Sequence, residues 1–579
     1  AQPPVEWSAG EPKGGKMLCD KDGMLRHPRE LADGYLEWFR RLQEAYGWKL
    51  LGMLSFAQWV LKGMVWGYAL TTSDFLLREY AVSGPKMQVY KAVFMLPWAM
   101  KPLFGLMSDA LPVGGYHKAP YIIASTVLAV FAYMAIGLSA EGTLQVRLIV
   151  ACLLLGTMQV SIVDLLTEAR YAERIREVPK YGPDLMTYVW GGITVGSLVA
   201  TGSVGFMIEH FGPRPVYAML AMPAALVLVP TCLNWLEEKR VAPGDAAQRR
   251  SHFLAEQPEL LVLVLVVGCS SLMLVAFGLL QESIWVNLTV ALTAAVVVTI
   301  AFLLLVRPMI SLMNCFFFIQ TCCVVDISGA SFYFFTDDAA QFPNGPNFSK
   351  IFFASGLGVC VAILNLLGMA FYNRYMKEWR YHGLFIFANL LQCAISLLGL
   401  CVFLRLNCKW GIPDALFVLG TTGAWGVVHM WMWLPGIVLL SHMCPKGVEA
   451  TMYALLAGCH NLGNSVASYS GACLLDILNV APRGDPNEAH QFDNLWIAAL
   501  ISALAPVLTL ALMPWMIPNA KQTDSLMDDD CSATEGSPWQ RFRANGKEKS
   551  CSALTGSTMS TPASTPHAQG YGAVDTQIA

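Results

Sequence analysis

The sequence predicts an all-α polytopic membrane protein with about fourteen transmembrane helices. Of its 579 residues, 55% are hydrophobic and only 14% are charged, whereas soluble domains carry roughly 25% charged residues. The mean hydropathy is +0.48. From Trp48 onward the chain divides into about fourteen apolar segments, each long enough for the roughly 20 residues that a membrane helix needs.

The apolar segments form two groups of six, separated by a pair. The first six end near Leu70, Leu106, Leu138, Glu168, Met207 and Trp235. The pair covers Leu260–Leu280 and Ile284–Val306. The last six are Ser311–Phe335, Ile351–Tyr372, Tyr381–Leu404, Asp414–Leu440, Ala450–Leu475 and Asn494–Trp515.

These segments predict six regions along the chain. We expect a cytoplasmic N-terminal segment (1–47), a six-helix half (48–236), a cytoplasmic linker (237–258), two extra helices (259–307), a second six-helix half (308–517) and a cytoplasmic tail (518–579). The tail is rich in Ser, Thr, Gly and Asp and poor in core-forming residues, so we expect it to be disordered.

A weak internal repeat supports the division into halves. GLMSD, which ends the second segment of the first half, aligns with the stretch from Gly368 to His382 in the second half. Related halves that flank a central cavity are typical of secondary transporters. The pair at Leu260–Val306 is then an insert between the halves, and a role in dimer packing is the alternative interpretation.

The placement of Lys and Arg predicts the orientation, because cytoplasmic loops carry an excess of both. With both termini cytoplasmic, the inner loops hold three basic clusters, which begin at Arg170, Lys239 and Arg374. The outer loops hold only scattered basic residues such as Arg147 and Arg214.

The stretch from Met95 to Tyr121, MLPWAMKPLFGLMSDALPVGGYHKAPY, predicts a hairpin of two membrane helices joined by a short polar turn. Asp109 can accept hydrogen bonds from the backbone amides at the start of a neighbouring helix. The spacing G-x-x-x-D followed by G-x-[HK] resembles the loop between helices 2 and 3 of major facilitator transporters.

The longer string around this turn is similar to the folate–biopterin transporter family, as is LPGIVLLSHMCPKGVEATMYALLAGCHNLGNSVASYSGACL (Leu434 to Leu474). The resemblance implies a major-facilitator-like bundle of six plus six helices. It also implies import of folates, biopterin or related pterins, generally with protons. The chain reads GYHKAPY where the family commonly has two arginines after GY, which leaves the substrate within the family open.

Composition and motifs argue against several other classes of protein. The net charge of −3 and the lack of a basic stripe exclude a typical nucleic-acid binder. The 16 cysteines are scattered and show no zinc-like spacing, so we expect neither a metal nor a cofactor. No catalytic motif supports an enzyme.

Polar residues at helical spacing predict a central cavity. By analogy with the facilitator fold, the first and fourth helices of each half line it. Each of these helices carries a set of polar residues. Three of the sets have regular helical spacing, and the set on Ser311–Phe335 is spaced less regularly. The expected substrate-binding residues are Gln58, Lys62, Asp164, Asp326, Trp425 and His429.

Charges near the inner boundary predict gating and proton coupling. The candidate gating and coupling residues are Lys101, Asp109, Glu168, Arg170 and Glu449. A purely structural pairing of Lys101 with Asp164 is the alternative for those two. In the coupled interpretation, protonation of Asp164 releases Lys101, while Asp326 accepts the flat donor edge of a pteridine.

Two other functions compete with proton-coupled pteridine import. S-adenosylmethionine or another nucleoside-like substrate fits the same fold, because aromatic faces and carboxylates attract a sulfonium. A non-transporting membrane receptor is the more distant alternative. The expected partners are a small pterin or folate, protons and the lipid bilayer, and the expected location is the plasma membrane of a eukaryotic cell, with a protozoan favoured.

The orientation makes Asn347 a testable landmark. Asn347-Phe348-Ser349 is a glycosylation acceptor in a predicted outer loop. We expect a cysteine introduced at Asn347 to react with an impermeant reagent added outside intact cells. Labelling only after the cells are permeabilised would contradict the predicted orientation.

Overall fold

The computed structural model describes residues 28–240, 258–445, 449–524, 526 and 532–543, and their secondary-structure elements are helices. One surface helix, α1 (Pro28–Tyr46), precedes the bundle. The first half contains α2 (48–79), α3 (84–110), α4 (Ala119–Leu138), α5 (Val146–Glu177), α6 (Gly182–Phe211) and α7 (Pro213–Cys232).

The insert and the second half supply eight more long helices. The insert consists of α8 (Pro258–Leu280) and α9 (Ile284–Leu305). The second half contains α10 (Pro308–Thr336), α11 (Ile351–Met376), α12 (Tyr381–Phe403), α13 (Asp414–His442), α14 (Glu449–Ile477) and α15 (489–516).

Within the described residues, 11 helices are long and apolar enough to cross a membrane. The three other long helices, α2, α3 and α14, pack within the same bundle, and α3 is interrupted at residues 99–100. Because the helices alternate in direction, the bundle has two ends. We call the end with the loops 80–83, 337–350 and 478–488 the loop end, and the opposite end, which carries α1 and residues 517–543, the terminal end.

The helix α2 departs from α-helical geometry where its polar residues lie. Residues Ser55–Val65 form a π-helix, whose i→i+5 hydrogen bonds place more residues in each turn. Gln58 and Lys62 both reach α5, whereas Ser55 bonds to Tyr188 of α6. An α-helix would place residues i, i+3 and i+7 on one face, but here Ser55 contacts a different helix from Gln58 and Lys62.

Two seams join the halves: α3 packs on α14 and α10, and α6 packs on α11. At the second seam the backbones approach closely at Gly205, where a Cβ would lie 2.8 Å from Ile351 Cα. The Gly205 N–H also donates to Ser355 Oγ at 2.9 Å. Small residues at such crossings let membrane helices pack without a strong hydrophobic driving force.

The insert packs against its own chain along the first seam. Buried residues of α8 and α9 share one apolar core with α3 and α14. Tyr469 of α14 donates to the carbonyl of Leu274 at 3.3 Å, and Lys86 of α3 donates to the carbonyl of Gln281 at 2.9 Å. The insert thus braces the contact between α3 and α14.

The helix α10 is interrupted, although the sequence predicted one continuous span over Ser311–Phe335. Its first segment ends at Cys323 and its second begins at Ser328. Asp326 lies in the break and accepts a hydrogen bond from the Ser328 N–H at 2.9 Å, so its side chain caps the second segment. A carboxylate at this position satisfies a backbone donor that the interruption exposes.

Two segments at the terminal end also differ from expectation. The N-terminal region, expected as a polar segment, contains the helix α1. Part of the tail, expected to be disordered, packs on the second half: Gln522 is buried, and its Nε2 donates to the carbonyl of Met376 at 2.9 Å. The Arg307 N–H donates to the carbonyl of Ala533 at 2.9 Å.

The two halves are held together by polar contacts at the loop end. Arg78 of α2 donates to Thr336 and Gln341 at 2.6 Å and to Asp337 Oδ1 at 2.8 Å. We call this set the loop-end latch. It is reinforced by the Gly84 N–H, which donates to the carbonyl of Pro482 at 2.8 Å.

The latch contains a carboxyl group that holds a proton near neutral pH. Burial of Asp337 and the neighbouring Glu488 carboxylate raise the pKa of Asp337 from 3.8 to about 8. The folded pKa lies above the ordinary value, so the stabilisation is complete below the ordinary value and is lost as pH rises through about 8.

We expect the melting temperature of the detergent-purified protein to fall between pH 5 and pH 8 and to change little above pH 8, and Asp337→Asn to reduce that fall. An amide keeps an acceptor for Arg78 and a donor for Glu488 but does not ionise. Asp485→Asn, which changes an exposed carboxylate at the same end, is the matched control. An unchanged fall in the Asp337→Asn protein would show that this carboxyl group does not set the pH dependence.

Candidate functional site

The centre of the first half contains one carboxylate shared by two lysines. Asp164 of α5 is buried, and its Oδ1 lies 2.8 Å from Lys62 Nζ of α2. Its Oδ2 lies 2.6 Å from Lys101 Nζ of α3. The expected contact of Lys101 with Asp164 is present, and Lys62 joins the same carboxylate. The three side chains tie together three helices near the middle of the bundle.

Aromatic rings surround the two ammonium groups. Trp98 lies 4.7 Å from Lys101 Nζ and 5.8 Å from Lys62 Nζ, measured to the ring centroid. Trp66 packs edge-on against Trp98 at 5.8 Å, and Trp190 lies 5.4 Å from Lys62 Nζ. Cation–π attraction therefore supplements the ion pairs and holds the lysines near flat apolar surfaces.

Two buried polar atoms beside this cluster have no hydrogen-bond partner among the described residues. Gln58 donates through Nε2 to Thr167 Oγ1 at 2.9 Å, but its Oε1 accepts no hydrogen bond. Trp98 Nε1 has no acceptor. Buried polar groups are normally paired, so one acceptor and one donor without a partner are unusual at this position.

A second carboxylate completes the cluster. Glu168 lies one helical turn from Asp164 and interacts electrostatically with both lysines, and the Tyr171 hydroxyl donates to it. With all four groups ionised, the two lysines balance the two carboxylates. Protonation of either carboxylate leaves the cluster with one excess positive charge.

The second half contributes a ladder of aromatic and imidazole rings. Trp425 and His429 of α13 stack with centroids 4.8 Å apart and planes 9° apart. Trp433 continues the ladder and lies 5.2 Å from His460 of α14. His460 Nδ1 is 3.0 Å from Thr321 Oγ1. Spacing predicted the alignment of Trp425 with His429, but not its extension to another helix.

The ladder and the lysine cluster meet at the seam between the halves. Asn461, next to His460, donates to the carbonyl of Trp98 at 3.4 Å. A Cβ at Gly458 would lie 3.0 Å from the carbonyl oxygen of Ala99. The lysine cluster of the first half and the rings of the second half thus flank the same helix contact, that of α3 with α14. We call the lysine cluster and the ladder together the seam site.

Asp326 lies apart from the lysine cluster. Its Oδ2 accepts from Ser468 Oγ at 3.0 Å, so both of its carboxylate oxygens already have partners. It interacts electrostatically with Lys91, which forms an ion pair of 2.9 Å with Asp74 toward the loop end. This geometry fits an anchor for the break in α10 better than a free acceptor for substrate.

Of the expected gating residues, Lys101 and Glu168 belong to the central cluster, whereas Asp109 and Arg170 lie toward the terminal end. Asp109 is exposed in the last turn of α3, and the acceptor at the start of α4 is Glu238, whose Oε1 lies 2.9 Å from the Lys118 N. Arg170 bonds to Glu173 at 3.0 Å, and Lys118 reaches the same carboxylate at 2.7 Å. These contacts connect the turn before α4, the end of α5 and the start of the linker.

The two remaining predicted residues are Glu449 and Asn347. Glu449 begins α14, but its side chain lies outside the described residues. Asn347 is exposed in the loop 337–350 at the loop end. In the described part of the chain, no group of three or more His, Cys, Asp or Glu side chains is placed to hold a metal ion.

Curated relatives match most of this chain. A probable folate-biopterin transporter (number 6) from Arabidopsis thaliana is 24% identical over 463 residues, which covers 79% of this chain and 80% of the relative. A folate-biopterin transporter from Synechocystis sp. is 24% identical over 492 residues, with 84% and 86% covered.

Solved structures show the same fold at low sequence identity. A peptide transporter of the POT type in complex with sulfate aligns with a TM-score of 0.57 and 13% identity over 82% of this chain and 96% of its own. A nucleoside transporter aligns with a TM-score of 0.51 and 13% identity over 81% and 99%.

The architecture and the matches agree on a helical membrane transporter with the fold of these solved transporters. The model of the BT1 family matches residues 62–535, a range that begins within α2 and contains the rest of both halves, the insert, the lysine cluster and the aromatic ladder. The chain therefore belongs to the BT1 family.

Proposed function

We propose that the protein is a secondary active transporter that carries pteridines, and preferentially those with a carboxylate such as folates, together with protons. The observation that carries this proposal is the position of two lysines beside aromatic rings where the halves meet. The similarity to relatives named as folate-biopterin transporters supports the substrate class.

The seam site offers complementary contacts for such a substrate. A fused pteridine ring can stack on Trp425, His429 or Trp433, whose rings form a nearly parallel series. The unpaired Gln58 Oε1 and Trp98 Nε1 can pair with the polar edge of the ring. A glutamate tail can approach Lys62, whose side chain remains 20% exposed.

Charge balance links the proton to the substrate. Removing charge from Asp164 would leave two largely buried ammonium groups without their direct partner, which is costly. Glu168 bonds to Tyr171 instead of directly to a lysine, so we assign the transported proton to Glu168. A protonated Glu168 leaves one excess positive charge, which the carboxylate of the substrate then balances.

This assignment modifies the mechanism expected from the sequence. There, Asp164 carried the proton and Asp326 bound the ring. In the present proposal Asp164 fixes the lysines, Asp326 anchors the break in α10, and Glu168 couples the proton. The loop-end latch is closed in this conformation, so the proposed exchange of substrate takes place from the terminal end, which we take as cytoplasmic.

We expect Lys62→Gln and Lys101→Gln to weaken uptake of folate much more than uptake of biopterin, which has no carboxylate. A hydrogen bond to a charged group contributes about 1.5–3 kcal/mol, so the KM for folate should rise about 10- to 100-fold. The measurement is uptake into proteoliposomes with an imposed pH gradient.

Lys350→Gln, at an exposed position at the loop end, is the matched control. S-adenosylmethionine is included in the substrate panel because its cationic sulfonium should be disfavoured by the two lysines. Uptake of S-adenosylmethionine without uptake of any pterin would reject the proposed substrate class.

The proton assignment predicts that two carboxylate variants fail in different ways. Glu168→Gln imitates the protonated form, so it should still exchange folate across the membrane but should not accumulate it in response to a pH gradient. Asp164→Asn should impair exchange as well, because the two lysines lose their shared partner. Undiminished accumulation by Glu168→Gln would exclude Glu168 as the proton carrier.

A further inference from the structure

The helix α1 has one continuous apolar surface, and the protein covers only part of it. Leu42 and Tyr46 are buried, and Trp38 donates to Asp184 of α6 at 3.1 Å. Successive residues are about 100° apart around a helix, so these three side chains fall within an arc of about 80°. This covered arc attaches α1 to the bundle.

The adjoining arc is apolar but exposed. Tyr35, Leu36 and Phe39 have 53%, 57% and 39% of their surface exposed. They lie within about 100° of one another: Tyr35 overlaps the covered arc, Phe39 lies at its edge with its ring 6.2 Å from that of Tyr188, and Leu36 lies farthest from the bundle contacts. Arg40 follows at the outer edge of this arc and is also exposed. We call Tyr35, Leu36 and Phe39 the exposed stripe.

The contacts of α1 show that it lies along the terminal end of the bundle. Tyr46 donates to the carbonyl of Val178 at 2.8 Å, and Trp38 reaches Asp184. These residues are about 12 Å apart along the helix, yet both contact the short region between α5 and α6. The helix therefore rests on the bundle at two points and does not project away from it.

The position of the next helix places the stripe near a membrane boundary. Gly47 has a positive φ of 83°, which lets the chain turn between α1 and α2. Trp48 then begins the first membrane helix, is 54% exposed, and packs at 5.0 Å against Trp235, which follows the end of α7. Tryptophan is enriched at this level of a membrane protein, between the headgroups and the hydrocarbon.

We propose that Tyr35, Leu36 and Phe39 insert into the lipid headgroup layer at the terminal end, so that α1 is a membrane-surface helix. Such helices combine an apolar face with a charged face and bury the apolar face about 5–10 Å into the boundary. Arg40 lies where it can meet lipid phosphates. Asp33 and Glu44 lie farther around the helix, on the face that remains in water.

The proposal can be tested in the full-length protein in nanodiscs. An environment-sensitive fluorescent amino acid is introduced in place of Leu36, in the stripe, or of Arg41, on the opposite face. The lipids contain a fraction with a nitroxide quencher at the headgroup. Both proteins must elute as single species, which controls for folding.

We expect quenching by the lipid to be at least about threefold stronger at position 36 than at position 41, with a blue-shifted emission at position 36. Iodide in the buffer should quench the fluorophore at position 41 more strongly than the one at position 36. Equal quenching by the lipid at both positions would overturn the proposal.

A third result would also overturn it. Shielding of position 36 from both the lipid quencher and iodide would show that protein covers the stripe. Repeating the measurement after removal of residues 1–27 or 544–579 would then show whether another segment of this chain is the occupant.

Discussion

Neutralisation of one buried carboxylate governs the centre of this protein. Asp164 cannot remain ionised away from water without partners, and Lys62 and Lys101 cannot approach the bundle core without an anion. Their mutual contacts bring α2, α3 and α5 together at a fixed depth. That convergence brings Trp98 and Glu168 close to the two lysines and encloses Gln58, whose Oε1 has no hydrogen-bond partner.

The second half meets this centre without a comparable cluster of ion pairs. It presents flat rings from α13 and α14, and its break in α10 is capped by Asp326. Polar contacts between the halves concentrate toward the loop end, around Arg78 and Gly84. The insert braces the seam between α3 and α14. The halves are therefore held together most firmly at the loop end. At the centre, the first half contributes charged groups and the second half contributes aromatic rings.

Much of this arrangement could be predicted from the sequence, and the exceptions have physical reasons. Apolar length located the membrane helices, and similar depth suggested the contact of Lys101 with Asp164. The π-helical segment Ser55–Val65 could not be inferred from α-helical spacing, so the different directions of Ser55 and Lys62 were missed. Apolar length also concealed the break in α10, although Asp326-x-Ser328-Gly329 contains a capping residue before a helix start.

Contacts made by distant segments were harder to predict. Glu238 reaches the start of α4 from the linker, and Gln522 reaches α11 from the tail, so local composition gave no signal for either. Trp98 belongs to the motif between Met95 and Tyr121, but only the structure shows that its ring lies beside Lys62 and Lys101.

The loop-end latch also has a thermodynamic consequence for the seam site. If Arg78 and its partners must separate before the site faces the other way, the latch sets the equilibrium between the two conformations. The apparent affinity for a ligand is reduced by the fraction of molecules in the competent conformation. Linkage is reciprocal, so a ligand that prefers one conformation also shifts the latch by the same factor. Residues that never touch the substrate can thereby determine how tightly it is held.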